Sequence, residues 1–82
     1  MDVREPSEYA SGHVEGAINL PVNSISEDSV ELKNIKFNDT IIVYCRSGVR
    51  AGQAQARLQS LGYYNVTNGI NQESIEKQLN IK

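Results

Sequence analysis

The chain has 82 residues, 39% of them apolar and 22% charged, which fits one small globular domain read over residues 1–82 and excludes a disordered segment. Eight Lys and Arg against ten Asp and Glu give a formal charge of -2, so no broad basic surface is expected and nucleic acid is not an expected partner. A single cysteine, Cys45, excludes an internal disulfide, and with His13 as the only histidine no Cys/His zinc site, metal or other cofactor is expected.

Met1 to Val3 reads as a strand that begins abruptly. Pro6 suits the first position of a helix, where its missing N–H is not needed, so residues 6 to 11 predict a short helix that Gly12 closes. Ala17-Ile18-Asn19-Leu20 reads as a brief strand ended by Pro21. Ser24 to about Lys33 predicts a helix, with Ser26, Glu27 and Asp28 at its favourable N-terminal end. After a turn at Asn38-Asp39, Thr40 to Tyr44 is the strongest strand, β-branched and aromatic and apolar on both faces. Its longest apolar run, Ile41 to Cys45, is far too short to span a bilayer, and the N-terminus lacks an apolar signal stretch. No membrane partner is expected, and the cytoplasm is the expected location.

Residues 50 to 61 give the strongest helix: Ala51, Ala54, Leu58 and Leu61 recur at spacings of three, four and three, on one face, and Gly62 stops it. Tyr64 to Thr67 predicts a short strand, Asn68-Gly69 a turn, and Ser74 to Leu79 a last helix. Strands alternating with helices imply an α/β fold, a small parallel sheet with helices on both faces. In such sheets ligands sit beyond the carboxyl ends of the strands, which directs attention to the residues after Tyr44.

There the chain reads Cys45-Arg46-Ser47-Gly48-Val49-Arg50. Cys45 ends the central strand and Arg50 starts the helix, so the loop between them turns sharply, with Gly48 free to take a positive φ. Such a loop aims several backbone N–H groups at one point, and a helix N-terminus behind it favours an anion. The same field, with Arg46 and Arg50 nearby, is expected to lower the thiol pKa and yield a nucleophilic thiolate. A cysteine at a strand end is by itself often a small core residue. Two arginines within five residues favour the reactive reading. Arg46, Ser47, Gly48, Val49 and Arg50 make up this candidate anion-binding loop.

Two runs carry a family resemblance. Asp2-Val3-Arg4-Glu5, Glu8-Tyr9 and Gly12-His13-Val14-Glu15-Gly16-Ala17-Ile18-Asn19-Leu20-Pro21 resemble the first signature of rhodanese domains, and Ile42 to Ala51 resembles their active-site loop. Leu58 to Tyr63 and Val66 to Gly69 resemble the helix and strand that follow. The chain looks most like the small single-domain thiosulfate sulfurtransferases. The resemblance implies a rhodanese-like fold and Cys45 as the catalytic nucleophile. Cys45 would take a sulfane sulfur from thiosulfate or a similar donor as a persulfide, then pass it to a thiol, a protein acceptor or cyanide. Related phosphatases and arsenate reductases use a loop one residue longer than the four residues between Cys45 and Arg50, so the count favours sulfur transfer. A weakly active binding or sulfur-carrier module remains the alternative, since it would present the same sequence.

Asp2 and Arg4 lie at the same rim as Cys45. They are candidates for support of the site, either with a carboxylate orienting Arg46 or Arg50 or as a salt bridge fixing the first strand to the helix after it. His13 is expected to hold a turn rather than to act as a base, and Tyr44, Tyr63 and Tyr64 to pack. The family usually has a further strand and helix before the Asp-Val-Arg element and a Gly-Gly pair with a Trp after the last strand. This chain starts at Met1 and reads Asn68-Gly69-Ile70-Asn71, without Trp. An exposed neighbouring edge and an altered wall near Gly69 are the expected consequences.

Overall fold

The computed structural model describes residues 1–79; residues 80–82, the end of the expected domain, lie outside the described residues. Three helices, α1 (Pro6–Ala10), α2 (Val49–Ser60) and α3 (Gln72–Leu79), accompany two strands, β1 (Ile41–Cys45) and β2 (Val66–Asn71). The strands pair in parallel, Ile41 opposite Val66 and Val43 opposite Asn68.

The alternation of side chains along β1 builds two apolar layers. Ile41, Val43 and Cys45 face the buried side of α2, where Ala51, Ala54 and Leu58 are fully covered. The small alanines let the helix axis approach the strand, and Leu58 fills the far end of the contact. Ile42 and Tyr44 face the other way and pack with Val14 and with Ile75 of α3. Helices thus cover both faces of a parallel sheet, the α/β architecture expected from the sequence.

The outer strands are thinner than expected. Met1 to Val3 and Ala17 to Leu20 are not regular strands; Asp2 forms single parallel bridges to Asn19 on one side and Tyr44 on the other. Backbone bonds from Val3 N–H to the Tyr44 carbonyl and from Leu20 N–H to the Asp2 carbonyl hold these segments in sheet order. Asn19 fastens the outer one, donating its side-chain amide to the carbonyls of Asp2 and Arg4, both at 3.0 Å.

The helix expected over Ser24 to Lys33 is replaced by two short 3-10 turns, Val22–Ser24 and Val30–Leu32. Serine chemistry explains the break. Ser29 Oγ donates to the Ser24 carbonyl at 2.8 Å and accepts from Ser26 N–H at 3.0 Å, offering the backbone a looped alternative to a helical ladder. Val22, Ile25 and Leu32 still reach the core from this irregular chain.

The turn expected at Asn68-Gly69 does not end the strand, because β2 runs on to Asn71 along β1 with the turn carried inside it, Ile70 N–H donating to Asn68 Oδ1. A bulge interrupts the register between Val43 and Cys45, and Ile70 takes the left-handed conformation there, with φ 72°. Gly69 makes a close approach to side chains of α3 and β1. A Cβ on it would lie 2.8 Å from Ile75 Cγ1 and 2.9 Å from Ile42 Cγ2. Of the tyrosines expected to pack, Tyr44 and Tyr63 are buried and Tyr64 is exposed.

Candidate active site

Cys45 ends β1 and is buried. Gly48, at φ 91°, caps α2 in a conformation that side chains rarely adopt. The turn brings the Gly48 N–H to 3.1 Å and the Ala51 N–H to 3.4 Å from Cys45 Sγ, both donating to sulfur. Burial pushes the thiol pKa up, but the amides of Ala51, Gly48, Ser47 and Arg50 outweigh it and hold the pKa below its ordinary value. Oriented backbone, expected from the loop, is thus the leading influence that lowers the thiol pKa, and Arg50, whose guanidinium is held by Glu8, interacts with Cys45 through its charge.

Asn68 braces this loop from β2. Its side-chain amide donates to the Gly48 carbonyl at 3.0 Å, and its carbonyl oxygen accepts from Ile70 N–H at 2.9 Å. The second bond fixes the left-handed turn that lays Ile70 against Gly48; a Cβ on Gly48 would be 3.4 Å from Ile70 Cγ2. Sequence reasoning read Asn68 as a turn residue, and a β-strand asparagine paired with the active-site strand is the signal it passed over.

The arginines are arranged differently from the expectation. Arg50 makes a two-pronged contact with Glu8, Nη1 to Oε1 at 2.7 Å and Nη2 to Oε2 at 3.1 Å. Arg46, largely exposed, brings Nε to 3.3 Å from the same carboxylate. Contact with Arg50, the amide of Glu5 and the charge of Arg46 draw the Glu8 pKa down to about 2. Glu8 lies in the first signature run, yet its partner stands 42 positions away, a pairing no local pattern reveals.

Asp2 orients neither Arg46 nor Arg50. Its carboxylate takes Arg4 Nη2 at 2.6 Å, Arg4 Nε at 2.9 Å and the Arg4 amide at 3.0 Å. The Tyr44 hydroxyl donates to it at 3.1 Å and accepts from Val14 N–H at 3.0 Å. Burial would raise the Asp2 pKa, but these donors, Arg4 foremost, lower it. Burial together with Asp2 raises the Tyr44 pKa to about 12. Arg4 also reaches the Gly12 carbonyl at 2.7 Å, so the pair ties the first segment to the loop after α1. His13 stacks on Tyr9 with ring centroids 3.7 Å apart and places Nδ1 2.9 Å from the Tyr9 carbonyl, a turn-holding position.

Cys45 opens onto a shallow depression of about 350 Å³ lined by Arg4, Arg46, Asn71, Gln72 and Glu73. Another hollow of about 400 Å³, bordered by Met1, Ile18, Ile35 and Ile41, lies at the opposite end of β1 and touches none of the reactive groups. Among the described residues no cluster of His, Cys, Asp or Glu is placed to hold a metal ion, and no helix is long and apolar enough to cross a membrane.

Comparison with known proteins agrees with this geometry. A family profile described as Rhodanese-like domain matches residues 1–72. The thiosulfate sulfurtransferase PspE of Escherichia coli is 43% identical over 68 residues, covering 83% of this chain and 64% of that protein. A putative mitochondrial thiosulfate sulfurtransferase of Schizosaccharomyces pombe is 39% identical over 79 residues, covering 83% and 55%. This chain therefore spans a little over half the length of these relatives. Among solved structures, a rhodanese with anions from E. coli superposes with a TM-score of 0.78 at 38% identity, covering 89% of this chain and 85% of that one. The chain belongs to the rhodanese-like family.

Proposed function

We propose that this rhodanese-like chain is a sulfurtransferase that carries a sulfane sulfur on Cys45. The convergence of loop amides on Cys45 Sγ is the observation that supports the reading most directly. The thiolate attacks the outer sulfur of thiosulfate, a new S–S bond forms, and the old one breaks with its electron pair leaving on sulfite. The persulfide inherits one negative charge, which the amides that stabilised the thiolate are placed to bear. Arg46, Ser47, Gly48, Val49 and Arg50 would shape the wall around that sulfur.

A thiolate then attacks the terminal sulfur of the persulfide and carries it away, and cyanide serves the same purpose in vitro as thiocyanate forms. Because the chain has one cysteine, no internal thiol can resolve the persulfide, so the acceptor must be a second molecule. The similarity to the thiosulfate sulfurtransferase PspE supports thiosulfate as the donor to try first.

Intact mass before and after thiosulfate tests the reading. Wild type should gain about 32 Da, one sulfur on a reactive thiolate, and lose it to cyanide, while Cys45→Ser should gain nothing and keep its fold. A folded wild type that gains no mass overturns sulfur transfer, and a Cys45→Ser protein with full activity overturns the assignment of the nucleophile.

A further inference from the structure

The mouth above Cys45 is poorer in positive charge than its arginines suggest. Arg4 is matched by the buried Asp2 at 2.6 Å. Glu73 at the rim has Lys77 at 3.6 Å. Arg46 and Arg50 share one carboxylate, Glu8, at 3.3 and 2.7 Å. Among the described residues these pairs leave one net positive charge near the thiol where the sequence places three arginines, and Glu5 adds a further negative charge that acts on Arg50. The Glu8 carboxylate is about a quarter exposed and cannot be explained as a core ion pair.

We propose that Glu8 sets the charge selectivity of Cys45: by holding Arg50 and Arg46 it lowers the positive potential met by an anion approaching the thiolate. Anionic donors are thereby admitted without being strongly preferred over neutral ones. The Glu8–Arg50 fork also fixes the direction of the guanidinium, away from free rotation over the mouth. Glu8 touches no reacting atom in this arrangement; it is a residue that positions charge. The donor side of the proposal rests on the sulfur-transfer reading, whereas selectivity toward alkylating reagents does not.

Cys45 is the chain's one thiol, so its alkylation by neutral iodoacetamide and anionic iodoacetate, followed by intact mass, reads the local potential directly. Both reagents consume the same thiolate, and their rate ratio cancels changes in thiolate fraction. Glu8→Gln keeps the shape and one acceptor oxygen but removes the charge. The iodoacetate-to-iodoacetamide ratio should rise about threefold at low ionic strength, the effect of one unit charge across a solvated mouth on a monoanion, and the rise should fade with salt. Glu8→Asp keeps the charge with altered reach and should stay near wild type. Glu8→Ala provides a second charge-free variant should Glu8→Gln not fold. For thiosulfate, a dianion, the same change should lower KM about tenfold. A ratio unchanged in both charge-free variants, or shifted equally by Glu8→Asp, overturns the proposal. If wild type gains no sulfur from thiosulfate, the sulfur-transfer reading fails while the alkylation ratio still judges Glu8.

Discussion

The Asp2–Arg4 pair and the Glu8–Arg50 pair have nearly equal contact distances, 2.6 and 2.7 Å, in very different surroundings. Asp2 is fully buried and Arg4 nearly so, with the Tyr44 hydroxyl and the Gly12 carbonyl completing the arrangement. Glu8 and Arg50 are partly exposed at 23% and 32%, beside the mouth and next to the exposed Arg46. Among the described residues no buried side-chain polar atom lacks a hydrogen-bond partner, so the buried pair is held in a fully satisfied network. A desolvated pair cannot lose one partner without stranding the other, whereas a partly solvated pair is relieved by water. The same chemical fork thus anchors the chain in one place and tunes a potential in the other.

The sharpest way to break that contrast is Asp2→Ala. It leaves the Arg4 guanidinium buried without its partner and the Tyr44 hydroxyl without its acceptor. The expected loss is about 3–5 kcal/mol, a large share of the stability of a domain this small. Thermal unfolding followed by circular dichroism should show a fall of roughly 12 °C or more, if the variant folds at all. A loss near that of an exposed ion pair would erase the distinction between the two forks.

A milder probe is Asn68→Ala, which removes a neutral clamp rather than a charge. Losing its bonds to the Gly48 carbonyl and the Ile70 amide should destabilise by about 1 kcal/mol. Its more informative effect is on Cys45. The pH midpoint of iodoacetamide alkylation in wild type should fall below the ordinary thiol value of about 8.5 and move upward in the variant as the Gly48 amide loosens. An unmoved midpoint would show that the loop holds its shape without β2.

The smallest effect is expected on the acid side. Both carboxylates have folded pKa values below their unfolded ones, so each contributes stability that is present above the unfolded pKa and is lost as pH falls through the folded value. For Glu8 the window runs from 4.5 to about 2. Urea midpoints should therefore decline through this range, and Glu8→Gln should flatten the decline slightly. A wild-type midpoint that is level between these pH values would contradict both shifts.

Much of the fold was legible because local rules decided it. The three-four-three spacing from Ala51 to Leu61 marked α2, Pro6 marked the start of α1, and the β-branched run marked β1. The predicted Ser24–Lys33 helix failed because two serine side chains, Ser26 and Ser29, had local hydrogen bonds to make, a competition that charge placement alone does not register. The strand predicted to stop at Thr67 continues to Asn71 because pairing with β1 compensates for weak intrinsic propensity at Asn68 and Gly69.

By itself the sequence determined that the chain folds as α/β and that Cys45 stands where a strand ends, a glycine turns and a helix begins. These follow from side-chain periodicity, backbone freedom at glycine and the short separation of Cys45 from Arg50. Only the tertiary structure decided which carboxylate meets which arginine. Asp2 goes to Arg4, two residues away, and Glu8 goes to Arg50, across 42. Long-range charge pairing depends on how the segments dock, and an acidic residue in sequence carries no mark of the partner that docking will bring to it. The sequence named loop amides, a helix N-terminus and two arginines as sources of the field on Cys45, and the fold decided their weight: the amides of Ala51, Gly48, Ser47 and Arg50 lead, with directions that exist only once the turn is made.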